Sequence, residues 1–142
     1  MNERIGATIM GNHLAPELRG IVRFYPFLDG SLVEIEVINM PTDQSHPYAL
    51  HIHEGSNCGD DSFEAAGNHY NTKNQLHPEH EGDLPPLFSN NGYSYMTVYT
   101  NRFTPNEVIG RTIIIHNGND DFKSQPAGNS GARIACGMIQ QQ

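Results

Sequence analysis

Residues 31–40 (SLVEIEVINM) alternate apolar and polar side chains, and this period of two is the pattern that most constrains the fold. Val33, Ile35 and Val37 are separated from one another by single glutamates. Because successive side chains of a strand point to opposite faces, the segment is predicted to be a β-strand with one buried face and one face in water. This alternation is typical of antiparallel sheets.

Similar short runs recur along the chain, each bounded by Gly, Pro or Asn, and no segment shows sustained helical periodicity. The pairs Asp29-Gly30 and Asn91-Gly92 are typical of hairpin turns. The sequence therefore predicts an all-β fold, an eight-stranded antiparallel Greek-key sandwich or barrel. The predicted strands are residues 4–11, 19–27, 31–40, 48–54, 84–89, 93–100, 111–117 and 132–139.

Two long polar segments, residues 55–83 and 117–131, do not fit the strand pattern. Loops of that length in a compact domain are usually functional or disordered. The chain has 142 residues, which fits one domain with a core of its own. We therefore expect a single domain spanning residues 1–142, with two long functional loops.

The charge of the chain restricts its partners. The formal net charge is −8 and no run of Lys and Arg is present, whereas phosphate binding needs clustered positive charge, so nucleic acid is not expected. No apolar stretch approaches the roughly 20 residues of a membrane helix. No basic segment leads into an apolar one near residue 1, which predicts a cytoplasmic location unless the chain is the processed form of an exported protein.

Two histidines surround Ile52 in the motif HIHEG. If this segment is a strand, His51 and His53 share one face while Ile52 points into the core. His116 ends the apolar run 113–115, where its ring can meet the pair from a neighbouring strand. Imidazole ligands without thiolates suit copper(II) and zinc, and no CxxC motif indicates a thiolate site. The HIH pair taken alone is also compatible with the solvent-exposed face of an edge strand.

The loop segment 67–83 (GNHYNTKNQLHPEHEGD) contains a second concentration of ligand types. Gly82 allows the loop to fold back, so that His80 and Asp83 can reach one centre. Three imidazoles and one carboxylate match the tetrahedral set that zinc accepts, although a structural zinc clip also fits. The four candidates are His69, His77, His80 and Asp83. His13 and His46 are interpreted as polar surface residues.

The two cysteines, Cys58 and Cys136, permit either one disulfide or two free thiols. In a chain without a visible export signal, free thiols are the more common state.

Several of these motifs together resemble the copper/zinc superoxide dismutases. HIHE, AGNHYN, HEGDLPPL, IGRTIIIHNGNDD and GNSGARIACGMI are similar to successive blocks of that family, in the family's order. HIHEGSNC together with GDLPPL is closer to the bacterial branch. The resemblance implies an antioxidant oxidoreductase that dismutates superoxide to dioxygen and hydrogen peroxide with copper and zinc as cofactors.

The resemblance also implies roles for individual residues. His69 would bridge the two metals as an imidazolate and exchange a proton during catalysis, and Arg133 would attract and position the superoxide anion. The implied copper ligands are His51, His53, His69 and His116, and the implied zinc ligands are His69, His77, His80 and Asp83.

Two further features follow from the resemblance. Asp120 would accept hydrogen bonds from a copper ligand, His51, and a zinc ligand, His77, and such partners fix ring orientation. Cys58 and Cys136 would form an intrasubunit disulfide, which replaces the expectation of free thiols.

The sequence departs from the family pattern in two places. Only Pro78 and Glu79 separate His77 from His80, where relatives usually have a longer insert. Ala127 stands where the family has a threonine facing the arginine, and Lys123 is the one lysine that the segment 117–131 offers to guide an anion.

A second interpretation is a copper- and zinc-binding sandwich that handles metal with little or no turnover, and a third is a structural sandwich with an incidental zinc clip. Arg133 and Asp120 favour the enzyme, because metal storage needs neither an anion-positioning guanidinium nor a bridging carboxylate. The third interpretation leaves His51, His53 and His116 unexplained. Family members form dimers or remain monomers, so the resemblance allows a homodimer.

Overall fold

Antiparallel β-strands make up the fold of residues 4–142, the part of the chain that this computed structural model describes. No helix in this part is long and apolar enough to cross a membrane. A 3₁₀-helix spans Glu64–Ala66, and a four-residue α-helix, α1, spans Pro105–Val108. The strands are β1 (Ile5–Gly11), β2 (Arg19–Phe27), β3 (Gly30–Ile38), β4 (Tyr48–His53), β5 (Asp83–Leu87), β6 (Ser94–Thr100), β7 (Thr112–His116), β8 (Arg133–Met138) and β9 (Gln140–Gln141).

The strands pair in the order β5-β4-β7-β8-β1-β2-β3-β6, and β9 adds to β1. This order forms a nearly closed barrel, and it confirms the predicted all-β class and all eight predicted strands. β9 was not predicted, because two exposed glutamines carry no hydrophobic pattern. The barrel opens between β5 and β6, the two strands at the ends of the order. Pro85 and Pro86 suit β5 to such an edge, since proline cannot donate to a further strand.

The burial of side chains along β3 follows the alternation of apolar and polar residues from which the strand was predicted. Val33, Ile35 and Val37 are fully buried in the barrel core, and Glu36 on the opposite face is exposed. β4 differs, because all six of its residues are buried. Its inner side chains, such as Ile52, lie in the main core cluster, so a second layer must cover its outer face.

The two long loops supply that second layer over β4 and β7. Phe63 and Ala66, from the first loop, form a small apolar cluster with Ile114 of β7 and Cys136 of β8. Cys58 is bonded to Cys136 with their Cα atoms 6.0 Å apart. The disulfide implied by the resemblance is thus confirmed, and it ties the first loop to β8 beside the cluster.

Candidate metal centre

Four imidazoles meet under the long loops on the outer face of β4. His51 and His53 lie on β4, His116 ends the neighbouring β7, and His69 comes from the first loop through an isolated bridge to His53. Each of the four offers a ligand atom within 4.8 Å of the others, and all four residues are buried. The barrel therefore brings together side chains that are 65 positions apart at the extremes, from His51 to His116.

Backbone carbonyls determine which ring nitrogens of this group are free. His53 donates from Nδ1 to the carbonyl of Gly67 at 2.8 Å, and His116 donates from Nδ1 to the carbonyl of Gly131 at 3.3 Å. Neutral imidazole then has its lone pair on Nε2. The Nε2 atoms of His53 and His116 lie 3.4 Å apart, so two acceptors face one another. A cation bound between the two Nε2 atoms would be coordinated by both lone pairs and would remove this repulsion.

Two further nitrogens near this group have no hydrogen-bond partner among the described residues. They are Nδ1 of His51 and Nε2 of His69, and both are buried. An unsatisfied buried acceptor costs about 1–3 kcal/mol. Four neutral nitrogens that converge in this way fit copper(II), which prefers imidazole to oxygen ligands.

A second group of ligand atoms surrounds the carboxylate of Asp83. Its oxygens lie 2.8 Å from Nδ1 of His69, 3.0 Å from Nδ1 of His77 and 3.1 Å from Nδ1 of His80. The Nδ1 atoms of His69 and His80 are 3.3 Å apart. Ligands at zinc–nitrogen distances of 2.0–2.1 Å sit about 3.3 Å apart at tetrahedral corners, so the spacing fits one zinc ion.

The buried Asp120 connects the two groups. Its Oδ2 accepts from Nε2 of His51 and its Oδ1 from Nε2 of His77, both at 2.8 Å. Since a carboxylate only accepts, both Nε2 atoms carry protons and both Nδ1 atoms carry lone pairs. The lone pair of His77 therefore faces the carboxylate of Asp83, a repulsive contact that a zinc ion relieves.

Burial keeps these imidazoles neutral. It lowers the pKa of His51 and of His53 well below the ordinary value, and it also lowers the pKa of His69. Burial lowers the pKa of His116 to about 4. Neutral imidazole is the form that binds metal, so the site is ready for ligation at pH 7.

The stability of the metal-free protein should therefore fall between pH 6.5 and pH 4. Histidines of the unfolded chain take up protons near pH 6.5, whereas His116 of the folded chain does so only near pH 4. Stability is complete above that range and is lost as the pH falls through it, by about 3 kcal/mol from this histidine alone. Urea denaturation at several pH values measures the slope, which should be shallower in His116→Gln. A flat profile would contradict the prediction.

A cavity of about 340 Å³ opens onto the first group of histidines. His53, His69, His116, Ala127 and Arg133 line it, together with Asn68, Asn71, His80, Pro126, Ser130 and Gly131.

Arg133 is the cationic side chain in the wall of this cavity. Its guanidinium donates from Nη1 to the carbonyl of Phe63 and from Nη2 to the carbonyl of Gly67, both at 2.7 Å. Gly67 thus holds both Arg133 and His53. Lys123, the other expected guide for an anion, is exposed and is not among the lining residues, and its backbone N–H bonds to Asp121.

The sequence profile described as copper/zinc superoxide dismutase (SODC) matches residues 18–139. The chain belongs to the copper/zinc superoxide dismutase family. It is 37% identical to the superoxide dismutase [Cu-Zn] of Deinococcus radiodurans, an alignment that covers 87% of this chain and 78% of that protein. It is 33% identical to the superoxide dismutase [Cu-Zn] of Schizosaccharomyces pombe, over 87% of this chain and 90% of that protein.

Solved structures agree with the sequence comparison. The Cu/Zn superoxide dismutase of Brucella abortus superposes with a TM-score of 0.78 at 28% identity, covering 95% of this chain and 98% of that chain. A SOD-like protein from Bacillus subtilis superposes with a TM-score of 0.80 at 26% identity, covering 94% and 96%. The resemblance inferred from the motifs is thereby confirmed, together with the enzyme class and the metals for which the family is named.

Some residues of this dismutase centre were not predicted from the sequence. Gly128 adopts a φ of +71°, and a Cβ there would lie 2.0 Å from Oδ1 of Asp120 and 2.6 Å from Nε2 of His77. Gly67 was not predicted either, because it is its backbone carbonyl that accepts hydrogen bonds from His53 and Arg133. A glycine two residues before a candidate ligand, as in AGNHYN, is the one available signal for it.

Proposed function

We propose that this protein catalyses the dismutation of superoxide to dioxygen and hydrogen peroxide, with copper and zinc as its cofactors. The observation that carries the proposal is the position of the His69 ring. Its Nδ1 lies 2.8 Å from Asp83 in one ligand group, and its Nε2 is buried without a hydrogen-bond partner beside the other group. One imidazole with a nitrogen in each group is suited to bridge two metals.

The copper ligands proposed are Nδ1 of His51 and the Nε2 atoms of the other three rings. This assignment follows from the protons, since the remaining nitrogens of His51, His53 and His116 donate to Asp120 and to backbone carbonyls. The set is His51, His53, His69 and His116.

The zinc ligands proposed are the Nδ1 atoms of His69, His77 and His80 with the carboxylate of Asp83. A grouping by distance alone joins His51 to His69, His77 and Asp83. We assign His80 in place of His51 because Nδ1 of His80 contacts Asp83 directly at 3.1 Å. His51 is already assigned to the copper set.

Bound copper supplies one-electron redox chemistry through two accessible oxidation states, whereas zinc has none and contributes charge and geometry. Proton exchange and the orientation of the ligands depend on residues of the protein. His69 exchanges a proton at Nε2, the nitrogen that faces the copper group. Asp120 keeps the rings of His51 and His77 oriented through its two hydrogen bonds.

Arg133 is proposed to bind and orient the superoxide anion. Its guanidinium stays protonated in proteins, and two backbone carbonyls hold it in the cavity wall. The whole chain carries a formal net charge of −8, which opposes the approach of an anion. A fixed local cation at the mouth of the metal group is therefore needed for capture.

Metal analysis combined with direct observation of superoxide decay tests this function. Protein loaded with one copper and one zinc per chain should accelerate the decay, and His69→Ala should abolish most of the acceleration while both metals remain bound. The alanine removes the shared ring but leaves three ligands for each ion. A fully metallated parent protein that does not accelerate decay would favour metal handling instead.

Superoxide is the small-molecule partner in this proposal. The homodimer and the single domain spanning 1–142 stay predictions, and sedimentation velocity of the metal-loaded protein measures the first of them directly.

A further inference from the structure

The turn that carries two of the proposed zinc ligands is short. Pro78 and Glu79 alone separate His77 from His80, and proline offers no N–H to brace the turn. The N–H of Glu79 donates to the carbonyl of Leu76 at 2.7 Å, and the N–H of Asp83 donates to the carbonyl of His80 at 3.0 Å. The carbonyls of Pro78 and His80 flank Glu79, and each has two lone pairs with which to accept hydrogen bonds.

Arg102 donates to both of them. Its Nη1 lies 2.7 Å from the carbonyl oxygen of Pro78 and 2.9 Å from that of His80. Hydrogen bonds from a charged donor are roughly twice as strong as those between neutral groups. One guanidinium nitrogen therefore fixes the two carbonyls that flank Glu79.

Arg102 reaches the turn from the opposite edge of the barrel opening. It follows β6, and it lines the groove between β5 and β6 together with Asp83. Its base is anchored, because the adjacent Phe103 is buried and its carbonyl accepts from Oγ of Ser31 at 2.8 Å. The guanidinium thus connects the turn from His77 to His80 to a buried, hydrogen-bonded part of the core.

The other end of the turn is held from the second long loop. The side-chain amide of Gln125 accepts from the N–H of His77 at 2.9 Å and donates to its carbonyl at 2.8 Å. The His77 ring is also bonded to Asp120 at 2.8 Å. His77 therefore has supports of its own. The N–H of His80 donates to Oδ2 of Asp83 at 3.0 Å, and its carbonyl accepts from the N–H of Asp83 at 3.0 Å. Arg102 adds to these local bonds a contact from across the barrel opening.

We propose that Arg102 is a positioning residue for zinc, which holds the short turn so that Nδ1 of His80 points at Asp83. The inference rests on the zinc ligand set proposed above. This contact across the barrel opening restricts the conformations of the turn before the metal binds. Partners of this kind typically change metal affinity by about 10- to 100-fold.

The test is the zinc affinity of the disulfide-intact, copper-loaded protein, measured by competition with a chromogenic chelator. Arg102→Met keeps the aliphatic stem but removes the donor, and we expect its zinc dissociation constant to rise by about 10- to 100-fold. Arg102→Lys should restore most of the affinity, because a single ammonium can donate to both carbonyls. Cobalt(II) substituted for zinc should lose its tetrahedral visible band in Arg102→Met and regain it in Arg102→Lys.

Arg19→Met is a matched control. Arg19 also donates from Nη1 to two backbone carbonyls, those of Pro16 and Leu18, in a loop that holds none of the proposed metal ligands. Arg19→Met removes the same positive charge as Arg102→Met but leaves the turn from His77 to His80 untouched, so its zinc affinity should equal that of the parent. Equal losses in the two methionine variants, or no loss in Arg102→Met, would overturn the inference.

Failure of the inference is distinguishable from failure of the ligand assignment. His80→Ala should lose zinc whether or not Arg102 matters. If His80→Ala binds zinc as tightly as the parent, the proposed ligand set is wrong. If zinc affinity falls in His80→Ala but not in Arg102→Met, only the positioning role of Arg102 is rejected.

Discussion

Replacing Arg133 with alanine should lower the second-order rate constant of superoxide decay by about 10- to 100-fold while copper and zinc contents stay at the parent level. Local positive charge in a cleft raises the capture rate of an anion by 10- to 1,000-fold, and here it acts against a formal net charge of −8. None of the proposed metal ligands bonds to the guanidinium, which donates to the carbonyls of Phe63 and Gly67. Pulse radiolysis with metal analysis of the same sample measures both quantities.

Salt and a control variant identify the cause of this loss. The parent rate should fall as ionic strength rises, because salt screens the attraction to Arg133. The rate of Arg133→Ala should not fall, because salt then screens only the net negative charge that repels the anion. Arg23→Ala removes an equal charge from β2, on the far side of the sheet order from the metal group, and should keep the parent rate. A rate for Arg133→Ala within twofold of the parent would remove Arg133 from the mechanism.

Removal of the disulfide should cost about 4 kcal/mol of stability in the metal-free protein. Cys58 and Cys136 are 78 positions apart, so the bond removes much of the loop-closure entropy of the unfolded chain. The variant Cys58→Ser/Cys136→Ser should unfold at a lower urea concentration, by the amount that this free energy and the denaturant slope dictate. Urea denaturation at pH 7, above the range of histidine titration, isolates the effect.

The chemically reduced parent protein controls for the serine substitutions themselves. It should lose about as much stability as the double variant, since both lack the same cross-link. The loop between Cys58 and Gly67 should also become more accessible to protease, because the bond ties it to β8. A loss below about 1 kcal/mol in both samples would show that the packing of Phe63, Ala66 and Ile114 holds the loop by itself.

Much of the barrel follows from patterns that neighbouring residues carry. The alternation in 31–40 determines which face of β3 is buried, and the spacing of His51 and His53 determines that both rings share a face of β4. These are consequences of the two-residue period of a strand, so no long-range information is needed. The two-residue strand β9 has no such pattern, and it is defined only by pairing with β1.

The ligand groups required more than local pattern. His69, His80 and Asp120 lie in loops, whose conformations depend on distant contacts that a single sequence does not encode in a periodic way. The family resemblance supplied their roles. The geometry added which nitrogen of each ring is free, since that depends on carbonyls such as those of Gly67 and Gly131 and on the carboxylate of Asp120.

Local sequence pattern is enough to predict the strand class, the shared face of the HIH pair and the residue types available to hold metal. The bracing of the short turn from His77 to His80 depends on the tertiary fold. Arg102 is 24 and 22 positions away from its two partners in that turn, and Gln125 is 48 positions away from His77. Hydrogen bonds of such span form once the barrel has brought β6 and the second long loop beside the turn. Composition and spacing indicate a metal site, and packing across the barrel opening determines its geometry.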